Sequence, residues 1–579
     1  MAGDSVNWLN LADKFAADGD PKGMRACARE LWESDARSKM EGAAVMAEAA
    51  LYSGDLDEAG ALAEEILHEQ PQHLRARLVQ AGVAAREFRL DAALPELQSI
   101  VDSTRRKLTV LDSSDAYYAT LQNILRKAQG WLADMHYLAG QPEQAAAALR
   151  ACVALAEEPL KQAEFYSKAL FMDNYRPQAL AESRRRAAHY AELLPEIKPY
   201  KHPAERKVPQ KKLRIGYLSP DFREHAVASF IEPLLRQFTP EQFSVFVYDT
   251  GRHDAVTHRL QKAPVTWRDL QGRPPRTAAR LIAEDEIDIL FDLSGHTQDS
   301  CLPIMAYRPA PVQIAGIGYM NTTGLPAIDY FLSDETCLPT GDTIAAAGFT
   351  ERIIRLPHSH LCYAPHVVHR MPELALDAPS MRKGYVTFGC FNDFNKVTDE
   401  MLLLWRGILE SVKESRLVLK GKVCSVPSGQ EIVRQRLRRL NFDVRRVELR
   451  PYSPDYLEQY ADIDVALDPA PYNGGLTTCE ALYMGVPVIC MRGRSHGARF
   501  GASLLRNAGV QELLLENDLN YVRRAVQLGK SPKLINQYHQ QLRQQLRQSA
   551  LMNQQQYMQE LEAAYHRIWQ EYCAAPTEQ

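Results

Sequence analysis

The chain has 579 residues, of which 46% are hydrophobic, so it is long enough for several domains and can fill more than one core. Its 68 Lys and Arg residues face 72 Asp and Glu residues, and the net charge of −4 excludes the basic excess typical of proteins that bind nucleic acids or anionic membranes. No basic segment precedes an apolar one at the N-terminus, and no run of about 18 apolar residues occurs. We therefore expect a soluble, cytoplasmic protein without membrane insertion.

Residues 1–195 are rich in Ala, Leu, Glu and Arg and have helical periodicity, which predicts an all-α domain. A spacing of 34 residues between two similar triplets is typical of tetratricopeptide helix pairs, although irregular helical hairpins with chance spacing remain an alternative. In either case stacked helix pairs form a groove that suits a polypeptide. The triplets are Gly54, Ala59 and Ile66; Phe88, Ala93 and Ile100; Gly140, Ala145 and Cys152; and, more loosely, Gly19, Met24 and Leu31.

Beyond this region, β-rich segments alternate with helical ones. The alternation predicts parallel sheets in two Rossmann-like lobes, over residues 205–375 and 380–520, with C-terminal helices over 521–579 that pack on the lobes. The predicted fold class is therefore α/β, preceded by an all-α repeat domain. The predicted strands are "LRIGYLS", "FSVFVYD" and "IDILFDLSG" in the first lobe, and "YVTFGCF", "RLVLKGK", "VRRVELRP", "DIDVALD" and "VPVICMRG" in the second.

The segment "PYNGGLTTCEALYMGVPVI" joins the predicted strand "DIDVALD" to a helix. The N-terminus of a helix at the carboxyl end of a parallel strand attracts anions through its unpaired N–H groups and its dipole. Gly474 and Gly475 allow the backbone to approach a diphosphate, Thr477 and Thr478 add hydroxyl groups, and Glu480 can accept hydrogen bonds from a ribose. Neither a P-loop nor a GxGxxG fingerprint is present, so an NTPase or a dinucleotide oxidoreductase is poorly supported. A purely structural turn remains the alternative.

Further polar residues follow other predicted strands. Lys396 lies in the loop "FNDFNK" and can supply a charge to a phosphate, although a lone lysine there is often only solvated. Asp221 and His225 follow the first strand, and His296 follows another strand of the same lobe. Two histidines at strand ends, opposite a lobe that binds phosphate, indicate a cleft between the lobes. A neighbouring loop adds Tyr319, Asn321, Thr322 and Thr323 as candidates for the sugar and acceptor pocket.

The ten cysteines are scattered singly without a CxxC pair, so spacing indicates neither a zinc site nor a disulfide framework. No acidic DxD-type pair recurs at a strand end, which is consistent with chemistry that needs no metal or other cofactor.

Seven ordered motifs lie over roughly residues 160–520: "YSKALFMDNYRP", "GYLSPDFREH", "DLSGHT", "RPAPVQ", "GYMNTTGLPAIDY", "VTFGCFN" and "LYMGVPV". They resemble the bacterial and plant members of the protein O-GlcNAc transferase and SPINDLY family, the SPINDLY-type branch in particular. The resemblance implies a two-lobed GT-B fold, inverting and metal-independent transfer from a nucleotide sugar to Ser/Thr hydroxyls, and a helical region that presents the protein acceptor. It also implies that His225 lies near the reacting centre, that Lys396 binds the diphosphate and that Glu480 holds the ribose.

Two departures leave the donor open. The O-GlcNAc transferases carry His-Thr-Thr where this chain has Gly475-Leu476-Thr477, and the base-binding segment, which starts near Ser453, has Tyr456 where a histidine is expected. UDP-GlcNAc is favoured, and GDP-fucose or another sugar donor is the alternative. Other open readings are a helical-repeat adaptor that only binds peptide, and an enzyme that glycosylates a small molecule or glycan. The sequence leaves a homo-oligomer open as well.

Overall fold

A computed structural model describes residues 7–33, 36–115 and 117–576. These residues form two compact units: one runs to Phe165 and includes Val423–Gln435, and the other comprises Tyr166–Lys422 and the chain from Arg436 onward. Within the described ranges, no helix combines the length and apolar content needed to cross a bilayer.

The N-terminal part is helical, as its periodicity predicts. Helices of 10 to 21 residues follow one another through short connections. The helices are α1 (Trp8–Ala17), α2 (Pro21–Trp32), α3 (Ala36–Ser53), α4 (Leu56–Glu69), α5 (Leu74–Arg86), α6 (Leu90–Val110), α7 (Tyr118–Leu138), α8 (Pro142–Leu155), α9 (Pro159–Asp173) and α10 (Leu180–Glu192).

The recurring sequence triplets mark helical hairpins. The first member of each triplet has a left-handed backbone and lies between the two helices of a pair, from α1 and α2 to α7 and α8. The second member is a small or flexible side chain on the second helix, and its exposure is 1% or less in every copy. Because the same turn and the same buried position recur, the helical-repeat prediction is confirmed. The left-handed residues are Gly19 (φ 67°), Gly54 (φ 84°), Phe88 (φ 55°) and Gly140 (φ 72°).

The first lobe contains a parallel sheet of seven strands in the order β3-β2-β1-β4-β5-β6-β7. Its central strands are almost fully buried, which fits their continuous apolar sequences. The strands are β1 (Leu213–Ser219), β2 (Phe243–Asp249), β3 (Thr266–Asp269), β4 (Ile289–Asp292), β5 (Val312–Ala315), β6 (Tyr330–Asp334) and β7 (Arg352–Leu356). The helices are α11 (Ala228–Arg236), α12 (Ala255–Leu260), α13 (Pro275–Glu284), α14 (Leu302–Met305) and α15 (Thr343–Ala346).

The second lobe contains a parallel sheet of six strands in the order β10-β9-β8-β11-β12-β13. Two parallel α/β sheets after a helical region confirm the predicted fold class. The strands are β8 (Thr387–Cys390), β9 (Arg416–Lys420), β10 (Val447–Arg450), β11 (Val465–Leu467), β12 (Val488–Met491) and β13 (Leu514–Leu515). The helices are α16 (Pro379–Lys383), α17 (Asp399–Ser411), α18 (Pro427–Arg439), α19 (Leu476–Tyr483) and α20 (Phe500–Asn507).

The C-terminal helices pack on both lobes. The guanidinium of Arg543 donates a 2.7 Å hydrogen bond to the carbonyl oxygen of Tyr483 in the second lobe. The last helix returns to the first lobe, where the hydroxyl groups of Tyr565 and Tyr217 lie 3.2 Å apart. These helices are α21 (Asp518–Gly529), α22 (Pro532–Arg547) and α23 (Gln554–Ala574).

Candidate functional site

A buried carboxyl group that the sequence analysis did not identify holds the glycine-threonine turn, residues 474–478, through hydrogen bonds. Asp468, directly after β11, accepts hydrogen bonds through Oδ1 from the backbone N–H of Gly474 (2.8 Å) and from Nδ2 of Asn392 (3.4 Å). The hydroxyl group of Thr477 donates to Oδ1 of Asn392 at 2.9 Å. Burial raises the pKa of Asp468 to about 6. In the sequence, Asp468 could have been identified only as the acid that ends the apolar segment "DIDVALD".

The two glycines of the turn have different roles. A Cβ atom on Gly474 would lie 2.5 Å from the Thr478 hydroxyl oxygen, so only glycine fits there, whereas the nearest atom to a Cβ on Gly475 belongs to Phe500 at 4.0 Å. Gly475 caps α19 without a side-chain hydrogen bond to the first N–H groups. The buried hydroxyl oxygen of Thr478 also has no partner among the described residues. Because these groups are unsatisfied, the turn can bind an anion at the start of α19.

Lys396 places a cation beside this turn. It ends a short 3₁₀ turn after β8, and its Nζ donates a 3.0 Å hydrogen bond to the carbonyl oxygen of Asn473. The same Nζ lies 3.9 Å from the centroid of the Tyr472 ring. Burial lowers the pKa of Lys396, and the neighbouring carboxylate of Asp468 opposes that shift. The strand-to-helix junctions of β8 and β11 therefore lie together in the second lobe.

Buried Glu480 and half-buried Tyr456 form a hydrogen-bonded pair. The Tyr456 hydroxyl donates a 2.5 Å hydrogen bond to Oε1 of Glu480, whose exposure is 2%. Burial raises the pKa of Glu480 to about 8, and the hydrogen bond from Tyr456 partly opposes that rise. Ser453 lies in the same segment, where its hydroxyl oxygen accepts hydrogen bonds from Nζ of Lys420 (3.1 Å) and Nε2 of Gln459 (2.8 Å). Ser453 thus anchors the segment that carries Tyr456.

His225 and Asp221 lie together at the carboxyl end of β1. Nδ1 of His225 is 3.4 Å from Oδ2 of Asp221, and the guanidinium of Arg223 donates to Oδ1 of the same carboxylate at 3.2 Å. Burial lowers the pKa of His225 despite the opposing charge of Asp221, and the positive charge of Lys422, from the second lobe, lowers it further. The imidazole is therefore neutral at pH 7, and its side chain retains 36% exposure. These properties suit a group that accepts a proton.

His296 is placed differently. It is fully buried, with Nδ1 2.9 Å from the hydroxyl oxygen of Ser167 and Nε2 2.8 Å from the carbonyl oxygen of Thr323. Because a carbonyl oxygen only accepts, Nε2 carries the proton, and burial lowers the pKa of His296 to about 4. Its ring packs edge-on against Tyr319, with centroids 5.3 Å apart. Both nitrogens are engaged, so the geometry favours a positioning role, and a catalytic role for His296 stays a prediction.

The threonines predicted for the sugar pocket are held by an acid. Thr322 and Thr323 are fully buried, and their hydroxyl groups donate to the two carboxylate oxygens of Glu351 at 2.7 and 2.5 Å. Asn321 donates from Nδ2 to the hydroxyl oxygen of Ser183 at 2.7 Å. These side chains therefore fix the loop after β5, and their contact with a sugar stays a prediction.

The turn that follows α9 contacts candidate residues of both lobes. Asn174, just after α9, donates a 3.3 Å hydrogen bond to the hydroxyl oxygen of Tyr319 in the first lobe. Two residues later, Arg176 donates to the carbonyl oxygen of Asn395 in the second lobe at 3.2 Å. The strand ends of both lobes therefore belong to one connected arrangement within the larger unit.

The family model described as glycosyl transferase family 41 matches residues 185–373 and 377–561. The matched ranges include both sheets, the turn before α19 and most of the C-terminal helices.

Named relatives and a solved structure resemble the chain as well. A probable UDP-N-acetylglucosamine–peptide N-acetylglucosaminyltransferase SPINDLY of Petunia hybrida is 39% identical over 381 residues, which is 63% of this chain and 40% of that protein. The SPINDLY protein of Arabidopsis thaliana is 38% identical, with the same coverage of both chains. The chain thus spans about two fifths of the length of these relatives. An O-GlcNAc transferase structure from Thermobaculum terrenum is 28% identical, with a TM-score of 0.76 over 93% of this chain and 99% of that one.

Proposed function

Because the chain belongs to glycosyl transferase family 41, we propose that it is an inverting glycosyltransferase that transfers GlcNAc from UDP-GlcNAc to Ser/Thr hydroxyl groups of proteins. The observation that carries this proposal is the position of Lys396 beside the start of α19, where its Nζ bonds the carbonyl oxygen of Asn473. A cation and a helix start with no side-chain cap, adjoining one turn, suit the diphosphate of a nucleotide sugar.

The acceptor hydroxyl attacks the anomeric carbon on the face opposite the diphosphate. The new C–O bond forms as the bond to the diphosphate breaks, so the configuration at the carbon is inverted and negative charge develops on the leaving group. Lys396 and the first N–H groups of α19 stabilise this charge without reorganisation, and such preorganised stabilisation is usually the largest single contribution to catalysis. In this proposal the transfer itself uses no metal ion.

His225 takes the proton of the acceptor hydroxyl or orients that hydroxyl. Its imidazole is neutral at pH 7 because burial lowers its pKa, and a neutral ring nitrogen is the form that can accept a proton. Asp221, at 3.4 Å from Nδ1, stabilises the imidazolium that would result.

The Tyr456–Glu480 pair holds the nucleoside. Glu480 lies one turn into α19, so a donor whose diphosphate sits at the helix start brings its ribose towards this acid. The names of the plant relatives support UDP-GlcNAc over GDP-fucose as the donor.

The helical repeats bind the polypeptide acceptor. Stacked helical hairpins form an extended groove, and the recurring turn and buried positions of this chain build such a stack.

Calorimetric titration of the full chain with UDP and GDP tests the donor assignment. We expect binding of UDP, GDP binding at least 10-fold weaker, and loss of UDP affinity in Lys396→Ala. Tight GDP binding with weak UDP binding would overturn the choice of donor and favour fucose transfer. Binding of neither nucleotide would contradict a donor site at this turn.

A further inference from the structure

Three metal-ligating side chains from distant parts of the chain meet behind the donor site. Cys337 follows β6, His360 follows β7 and His496 follows β12. The sulfur of the first and one nitrogen from each ring all lie within 4.8 Å of one another. Their exposures are 0%, 1% and 2%. Spacing in the sequence could not reveal this cluster, because the three ligands come from three separate strand ends in two lobes.

Hydrogen bonds at Nδ1 leave Nε2 of each imidazole for another partner. Nδ1 of His360 lies 2.5 Å from Oδ2 of Asp334, and Nδ1 of His496 lies 3.1 Å from the carbonyl oxygen of Met320. A carboxylate and a carbonyl only accept, so each ring donates from Nδ1, and Nε2 is the nitrogen that can bind a metal. Both Nε2 atoms are buried without a hydrogen-bond partner among the described residues. The two rings are neighbours, with centroids 4.9 Å apart, and an unsatisfied buried polar atom on each of them is costly unless a ligand binds there.

We propose that Cys337, His360 and His496 bind one divalent cation of the zinc class. A thiolate and two imidazoles suit the borderline-soft character of Zn²⁺, and three protein ligands leave a fourth position for water. The carboxylate and carbonyl behind the imidazoles are the partners that usually orient histidine ligands. On binding, the S–H bond of Cys337 breaks, its proton passes to solvent and the sulfur binds the metal. The thiolate and the Asp334 carboxylate then offset the two charges of the ion.

The position of the cluster gives the ion a structural role. Two ligands belong to the first lobe and His496 belongs to the second, so the ion cross-links the lobes. The ring of Phe500 packs 5.3 Å from each of the two imidazoles, and the same ring is the nearest atom group to a Cβ on Gly475. The ring of Phe500 therefore separates the cation from the glycine-threonine turn, and the cation supports the turn without contacting the donor. This role does not depend on the reaction proposed above and leaves the transfer chemistry metal-free.

A cavity of about 710 Å³ is lined in part by residues that are close in the chain to two of the ligands. Its lining includes Thr336 and His358, which lie one and two residues from Cys337 and His360 in the chain. A buried cation site requires an entry path, or loading during folding.

Cobalt titration of the full chain tests the site. The chain is unfolded with a chelator, refolded with Co²⁺ so that burial does not limit loading, and examined for the thiolate-to-cobalt charge-transfer absorption. We expect one equivalent of Co²⁺ with this absorption in the wild type, and its loss in Cys337→Ser. Cys301→Ser is the matched control, because Cys301 is equally buried in the first lobe but outside the cluster. His496→Gln, which leaves the thiol in place, should weaken Co²⁺ binding at least 10-fold, and circular dichroism checks that each variant folds.

Two results would overturn the proposal: a refolded wild-type chain that binds no Co²⁺, or a charge-transfer absorption that survives Cys337→Ser.

A third measurement addresses the structural role. Zn²⁺ should raise the Tm of the wild type and of Cys301→Ser but not that of Cys337→Ser. A Tm of the wild type that Zn²⁺ does not raise would contradict the structural role. None of the metal readouts requires the donor sugar to be known, so failure here is distinguishable from failure of the proposed function.

Discussion

The Tyr456 hydroxyl donates a 2.5 Å hydrogen bond to Oε1 of Glu480, in a position where the acid is only 2% exposed. Burial holds the pKa of Glu480 at about 8, above its ordinary value of 4.5. At a pH between 4.5 and about 8, Glu480 keeps its proton in the folded chain but has released it in the unfolded chain. The stability that this group contributes is therefore complete below about pH 4.5 and is lost as the pH rises towards 8.

Glu480→Gln should remove this pH dependence. The amide does not titrate and can still accept the hydrogen bond of Tyr456. The urea midpoint of the variant minus that of the wild type should therefore increase as the pH is raised from 5 to 8. Tyr456→Phe is the control, because it removes the hydrogen-bond donor and keeps the titrating acid, and its midpoint should still fall over that interval. Parallel midpoints for wild type and Glu480→Gln at every pH would contradict the buried, raised pKa.

Lys396→Ala should lower turnover by about 10²–10³, the size expected for losing one preorganised charge stabiliser. Rates are measured by donor consumption and by transfer, with the fold checked by circular dichroism. Lys383→Ala is the matched control: that lysine lies in the same lobe and pairs with Asp462 at 2.8 Å on the surface. A folded Lys396→Ala chain with near-normal turnover would remove this residue from the donor site.

Gly474→Ala should destabilise the second lobe and Gly475→Ala should not. The added Cβ at position 474 meets the Thr478 hydroxyl oxygen at 2.5 Å, whereas at position 475 the nearest atom is 4.0 Å away. Overpacking of this kind costs about 1–3 kcal/mol. Thermal unfolding should show a Tm several degrees lower for the first variant only. Equal Tm values for both variants would show that the turn adapts to the added atom.

His225→Ala should lower kcat by about 10²–10⁴ without lowering the Tm, the range typical of a lost general base. Because burial places the pKa of His225 below 6.5, the wild-type kcat/KM should fall with acid only below about pH 6.5, and this limb should vanish in the variant. His296→Ala should instead lower the Tm, since its buried ring bonds Ser167 and Thr323. An unchanged acidic limb in His225→Ala would assign the titration to another group.

The sequence predicted much of the fold because the relevant patterns are local. The segments "LRIGYLS" and "FSVFVYD" coincide with β1 and β2, and the recurring glycine offsets mark the helical hairpins. Strand β5 is not among the predicted strands, since its four residues "VQIA" lie between a proline-containing segment and glycines. Short buried strands of this kind are fixed by their neighbours in the sheet, which no local pattern records.

Those residues of the candidate site that lie where a strand passes into a helix could be selected from the sequence. The positions of Lys396 and the glycine-threonine turn follow from the shared edge of a parallel sheet. The burial of His296 and the threonines could not be predicted, because their partners Ser167 and Glu351 lie far away in the chain. Asp468 was overlooked for a related reason: a single acid after a strand shows its role only once its partners Gly474 and Asn392 are seen.

Intact-mass analysis of protein acceptors incubated with the full chain and each nucleotide sugar tests the central claim most directly. The account predicts a mass increase of one N-acetylhexosamine per modified Ser or Thr with UDP-GlcNAc, none with GDP-fucose, and little or none with Lys396→Ala. A deoxyhexose added only from GDP-fucose would contradict the donor. No adduct with any nucleotide sugar, on acceptors that the helical unit binds, would contradict protein glycosylation and leave a peptide-binding adaptor as the better account.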